Sequence, residues 1–190
     1  EDFLDKLAAH AGMNSEAKAS EMEHAIRKHC TVHHDEDPAF YKSLSEKVDA
    51  LIEKHHDEWE LLAEKLAELR KEAITGRQQG EDGMSKEATT FYEYIVQLGF
   101  ASGSVNDADK PAFKALMETT VEILQETIAS IDFWQNPDKQ KRVRGLIKTE
   151  IAKTGIEELK LNRERVAVEV MKLAKNRHDE LVNMAPTGGA

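Results

Sequence analysis

The sequence predicts an all-α protein, a long helical arm followed by a compact C-terminal helical bundle. Apolar residues recur at spacings of three and four along most of the chain, which is the period of one helix face. The 190 residues include only 10 Gly and 4 Pro, and these fall mainly between the periodic runs. Apolar residues make up 40% and charged residues 33%, a balance that suits amphipathic helices in water rather than disorder. There is no alternating run that reads as a strand, and no internal repeat.

The first predicted helix covers Asp2 to Ala11, with Phe3, Leu4, Leu7 and Ala8 on its apolar face and Gly12 at its end. Asn14 or Ser15 then caps a second helix running to about Val32, with Ala19, Met22, Ala25, Ile26, His29 and Cys30 inward. The strongest signal follows. Asp37 can cap and Pro38 suits the first helical position, where its missing N–H costs nothing. Asp35 and Glu36 complement the positive end of the dipole. Phe40, Leu44, Val48, Leu51, His55, Trp59, Leu62, Leu66 and Leu69 then form one stripe, with no Gly or Pro before Gly76. One continuous spine helix over about 37–74 is the expectation, roughly 50–60 Å long at 1.5 Å per residue.

Thr75 to Ser85 is polar and Gly-bearing, and marks the domain boundary. Ser85 caps a helix from Lys86 to Leu98, with Phe91, Tyr92 and Ile95 inward and Gly99 as its stop. Phe100 to Ala108 reads as a surface loop. Asp109 and Pro111 start the next helix, whose buried face is Phe113, Leu116, Met117, Val121, Leu124, Ile128 and Ile131. Phe133 and Trp134 fall in a turn. Asn136-Pro137 opens a helix with Val143, Leu146, Ile147 and Ile151 inward, closed by Gly155. A last helix runs from about Asn162 to Val182, burying Val166, Val170, Leu173 and Leu181. The expected organisation is an arm at 1–75, a linker at 76–85, a bundle at 86–183, and a flexible end or appended linker at 184–190.

The chain opens on Glu1 within a helical pattern, without Met or signal peptide, and reads as a fragment of something longer. Cys30 is the only cysteine, so an internal disulfide is excluded and a cytoplasmic setting is expected. No apolar run approaches the length of a membrane span. The net charge is −10, which argues against the whole chain binding nucleic acid. Its distribution is uneven. Residues 1–131 carry 14 Lys/Arg against 27 Asp/Glu, whereas 132–178 carry 12 against 7. Such asymmetry concerns partners rather than fold.

Several residues stand at an unusual combined spacing: Ala25-Ile26-Arg27-Lys28-His29, His33, Asp35-Glu36-Asp37-Pro38, Tyr41, Leu44-Ser45-Glu46 and Leu51-Ile52. Phe91-Tyr92, Ile131-Asp132-Phe133-Trp134, Asn136-Pro137-Asp138 and Val143-Arg144 follow further on. Over about Glu23 to Leu181 this pattern resembles the C-terminal helical region of the R (restriction and motor) subunit of type I restriction enzymes. The resemblance implies a non-catalytic assembly domain that attaches an ATP-dependent DNA translocase and endonuclease to its methyltransferase core. The implied partners are the modification and specificity subunits, with DNA backbone contact as a secondary expectation. The full subunit would use ATP and Mg²⁺. This stretch holds no phosphate loop G-x-x-x-x-G-K-[ST], and no cofactor is expected in it.

Three constellations could carry chemistry. His24, His29, Cys30, His33 and His34 offer zinc-type ligands, against a plain reading as the capped junction of two helices. Glu21/His24 and Glu53/His56 repeat the Glu-x-x-His spacing of di-iron bundles. They define the rival function, a carboxylate- and histidine-bridged di-metal bundle acting as an enzyme or metal store, although Glu53 and His56 lie beside the apolar stripe. Pro137-Asp138 with Glu158 and Lys160 imitates a nuclease pattern whose carboxylates hold Mg²⁺, yet Asp138 opens a helix where that pattern needs strands. The expectation is therefore no catalytic, metal or cofactor residue. The favoured contact candidates are Trp134, Lys139, Lys141, Arg142, Arg144 and Lys148. Lys141, Arg144 and Lys148 share one helical face, cations there can meet phosphates or acidic side chains, and an exposed aromatic can fill a pocket. The plain alternative is a solvated face with Trp134 anchoring the core.

Overall fold

The computed structural model describes residues 14–183, so the helix expected over Asp2 to Ala11 and the tail at 184–190 lie outside the described residues. The protein is all-helical: α1 (Ser15–His33), α2 (Pro38–His55), α3 (Trp59–Thr75), α4 (Lys86–Gly99), α5 (Lys110–Ile128), α6 (Pro137–Lys153), α7 (Glu157–Asn176) and α8 (His178–Asn183). A single 3-10 turn, Phe133–Gln135, joins α5 to α6. There is no strand among the described residues, and none of these helices is long and apolar enough to cross a membrane. The chain divides into two compact units between Gln78 and Gln79.

Side-chain capping marks the start of four of the eight described helices. The Asn14 side chain accepts from the Ala17 N–H, Asp37 from Phe40, Ser85 from Ala88, and Asn136 from both Asp138 and Lys139. Each satisfies N–H groups that the first turn leaves without partners.

The continuous spine helix is not formed. It breaks at His56–Glu58, and the two halves fold back on each other. His55, His56 and Asp57 are three consecutive poor helix formers, which lowers the cost of a break there. The gain is larger. Leu62, Leu66, Leu69 and Ala73 of α3 become buried against Leu44 and Val48 of α2 and against Ala19, Ile26 and Cys30 of α1. The antiparallel register of α2 and α3 shows in the ion pair of Lys47 with Glu72, 25 residues apart. Trp59, expected on the buried stripe, instead begins α3 beside the break and stays 40% exposed.

The end of this three-helix unit is tied to its middle. Gly76 takes φ +64 and ψ −172, a conformation open to glycine alone. The turn brings Arg77 back over the start of α2. There its Nε donates to Asp37 Oδ2 at 2.8 Å and its guanidinium lies 5.6 Å from the centre of the Phe40 ring. Both side chains are buried, 7% and 5% exposed. Asp37 thus caps α2 with one oxygen and holds Arg77 with the other.

In the second unit α4, α5, α6 and α7 form a ring in which each helix packs on its neighbours and α7 closes back onto α4. Tyr92 meets Phe113 at 4.7 Å, Lys148 reaches Glu164, and Tyr94 donates to Glu169, contacts that fit an up-down-up-down bundle. Phe91, Ile95, Phe113, Leu124, Ile147, Ile151 and Val170 are at or below 1% exposure in its core. Four expectations are corrected here. The last helix starts at Glu157 rather than Asn162, because Leu159 belongs to the core and Glu157 and Glu158 suit the first turn. It also ends at Asn176, and α8 follows as a separate short helix; Arg177 at φ −105 breaks the run, with its side chain buried and paired to Glu180. Ile131 lies beyond the end of α5 and is fully exposed, and Leu146 faces outward at 41%.

Arg77→Ala would leave the Asp37 carboxylate buried without its cation, and should cost about 3–5 kcal/mol. Urea denaturation of the variant against the parent chain measures this; an unchanged midpoint would remove the ion pair from the account of the fold.

Candidate docking surface on the C-terminal bundle

Most of the basic residues of 132–178 lie on α6 and α7, which form one antiparallel hairpin around the Gly155 turn. The helices are amphipathic: Val143, Ile147 and Ile151 of α6 and Leu159, Val166 and Val170 of α7 point into the core, and the remaining faces carry the charge.

The six expected contact residues divide into three groups. Trp134 is turned inward. Its Nε1–H donates to His178 Nδ1 at 3.1 Å and its ring stands edge-on to Phe133 at 4.8 Å. It packs against the core and ties the 3-10 turn to α8, which is the anchoring role. Lys139 and Lys148 are engaged locally. Lys139 pairs with Asp132, and Lys148 Nζ reaches Glu164 Oε1 at 2.8 Å. Each cation holds its carboxylate partner below the usual carboxylate range, Asp132 by the hydrogen bond from Lys139 and Glu164 by that from Lys148. Lys141 and Arg142 are exposed and Arg144 half-exposed, without an ion pair among the described residues. Of the six, these three form no ion pair among the described residues, although the charge of Arg144 acts on Glu164.

The structure adds residues that the sequence reading did not single out. Leu161 is 84% exposed and Val168 39%. With Arg165 and Lys172 they mark the solvent ridge of α7, at spacings of four, three and four. The signal was present in the sequence: Leu161 and Val168 stand seven apart and off the Val166/Val170/Leu173 stripe.

The other constellations do not assemble. Among the described residues no group of three or more His, Cys, Asp or Glu side chains is placed to hold a metal ion. His29 and His33 stack at 4.3 Å beside Tyr41, His33 meets Glu36 at 3.1 Å, and His24 and His34 face water. Cys30 is buried, and that burial pushes its thiol up, away from the reactive thiolate. Glu53 and His56 are exposed, with His56 against Asp57. Asp138 sits in the first turn of α6, while Lys160 pairs with Glu157 within α7. The α2–α3 groove has an apolar floor at Leu51 and Leu69, and its rim charges are largely spent on the Lys47–Glu72 and Lys65–Glu68 pairs.

No protein-family model, curated protein or solved structure matches this chain.

His29 gives a pH prediction. Burial, and then the neighbouring His33, lower its pKa, while the Ala73 carbonyl and Glu36 act in the opposite sense. In the window below the ordinary imidazole pKa of about 6.5 the unfolded chain binds the proton more readily than the folded one. Stability from this group is therefore full above that window and falls as the pH drops through it. The urea midpoint should decline as the pH drops below about 6.5, and less steeply in His29→Gln. Parallel profiles for the two proteins would contradict the assignment.

Proposed function

We propose that this chain is a non-catalytic docking module, and that its parent is the R subunit of a type I restriction enzyme. In this reading it works in the cytoplasm and attaches an ATP-dependent translocase and nuclease to the methyltransferase formed by modification and specificity subunits. The parent assignment rests on the residue pattern from Ala25 to Ile52 and from Phe91 to Arg144. The docking reading rests on one observation: Lys141 and Arg142 are exposed and Arg144 half-exposed, none forming an ion pair among the described residues, on a chain whose net charge is −10. A module of helices is suited to this work, because helix faces supply broad, preformed contact area without a catalytic pocket.

The mechanism is electrostatic capture followed by close packing. Exposed cations raise the rate of encounter with an acidic surface and fix its register, and the contact then holds by what it buries. The same cations suit a DNA backbone, which the assay below separates from a protein partner through a DNA-free arm.

The isolated chain should compete with the full R subunit for its methyltransferase in a pull-down without DNA. Lys141→Glu combined with Arg144→Glu should weaken that competition about tenfold or more, since removing two steering charges and creating two repulsive ones acts on both encounter and hold. The thermal midpoint should stay within a degree or so of the parent, because neither side chain is buried. Competition at parental strength would show that α6 faces only solvent.

A further inference from the structure

We infer that the outer ridge of α7, together with the adjoining flank of α6, is a docking face for an acidic amphipathic helix of a partner protein. This inference stands on α7 and does not require the parent to be a restriction enzyme.

The first observation is burial. A surface helix ordinarily carries one apolar stripe, and α7 satisfies that rule with Leu159, Val166, Val170 and Leu173. Leu161 and Val168 form a second apolar line on the opposite side, 84% and 39% exposed. Seven residues apart, they are about 10.5 Å apart along the helix. That spacing is one heptad, the repeat by which a second helix would place its own apolar residues against them.

The second observation is charge. Lys148 of α6 meets Glu164 of α7, which fixes the register of the antiparallel hairpin. One turn back along α6 is Arg144, and one turn forward along α7 is Val168, so Arg144 flanks that anchor. Arg144 also helps hold Glu164 ionised, which places it at this seam. Arg165 lies between the two anchors and Lys172 follows Val168. Lys172 is neutralised by Glu169 at 2.6 Å, whereas Lys141 forms no ion pair among the described residues and Arg144 acts on Glu164 only at longer range. An apolar line with Arg144 and Arg165 at its edge is complemented by a helix with apolar positions edged by Asp and Glu.

The alternatives fit less well. A two-fold contact between two copies through this face would set the same cations against each other. A phosphate backbone would satisfy the cations and leave Leu161 and Val168 without an apolar counterpart, and no exposed aromatic lies on the ridge to stack on a base.

The test uses the full chain and fluorescence anisotropy with three labelled probes. One is a helix-forming peptide of three heptads with Leu at the a and d positions and Glu at e and g, whose like charges keep it from pairing with itself. The second replaces every Glu by Lys, and the third is a duplex DNA of similar length. The Glu peptide should bind with an affinity that falls with added salt, and the Lys peptide should not. Leu161→Glu with Val168→Glu should weaken the Glu peptide about tenfold or more, with the thermal midpoint unchanged because both sites are exposed. Leu161→Ser with Val168→Ser should give a smaller loss in the same direction. The proposal is overturned by absence of binding, by binding that survives these substitutions, or by DNA binding more tightly than the Glu peptide. Because no methyltransferase is present, the assay can fail while competition for the methyltransferase succeeds, and the reverse.

Discussion

A helix with a single apolar stripe cannot bury that stripe by itself, and the N-terminal unit is shaped by this constraint. Extended as one rod, the segment from Pro38 to Thr75 would hold its leucines along more than 50 Å of surface, with only α1 to cover them. Breaking it costs a few unmade hydrogen bonds at a site where His56 and Asp57 are indifferent to helix. Folding it back covers Leu62, Leu66 and Leu69 almost completely. At roughly 1.5–3 kcal/mol for each large aliphatic side chain removed from water, burial of the three outweighs the cost of the break.

Once the chain doubles back, its polar groups need the same closure. Asp37 ends one such problem and begins another: it caps α2, and its carboxylate is buried. Arg77 answers that need from 40 residues away, and does so because Gly76 can adopt a backbone conformation closed to other residues. A buried ion pair of this kind adds little net stability over an apolar pair, yet either half alone is costly. It therefore specifies where the unit ends rather than how strongly it folds. In the second unit Glu118 plays a comparable part, accepting from the backbone and hydroxyl of Ser85 at the start of α4.

The C-terminal bundle separates structure from function along its α6–α7 hairpin. Its inner faces are satisfied by the closed ring of four helices, and much of its outer charge is satisfied by local pairs such as Lys153 with Glu150 and Lys172 with Glu169. Lys141, Arg142, Leu161 and Val168 remain as exposed side chains with no ion pair or core contact among the described residues. Exposed local pairs contribute little to stability, so this face is free to be shaped by what it meets. The docking role proposed above rests on that remainder, and the resemblance to a restriction-enzyme subunit gives it a specific partner to be tested against.

The amino-acid sequence alone determined the helical class, the caps at Asp37 and Ser85, a cap at Asn14 or Ser15, the opening of α6 at Asn136-Pro137, and most of the core, because these depend on local periodicity and on side chains reaching their own backbone. The basic character of α6 was equally legible, since charge is a matter of composition. Tertiary structure decided the rest. A stripe continuing through His55 and Trp59 reads the same whether the helix is straight or folded in two, and only burial against α1 selects the fold. Trp134 could be anchor or probe until His178 was seen to accept its N–H. Leu161 and Val168 became meaningful only when α7 was shown to bury its other side. In each case the sequence fixes which groups a helix carries, while packing against neighbours more than a dozen residues away fixes which of them remain in water.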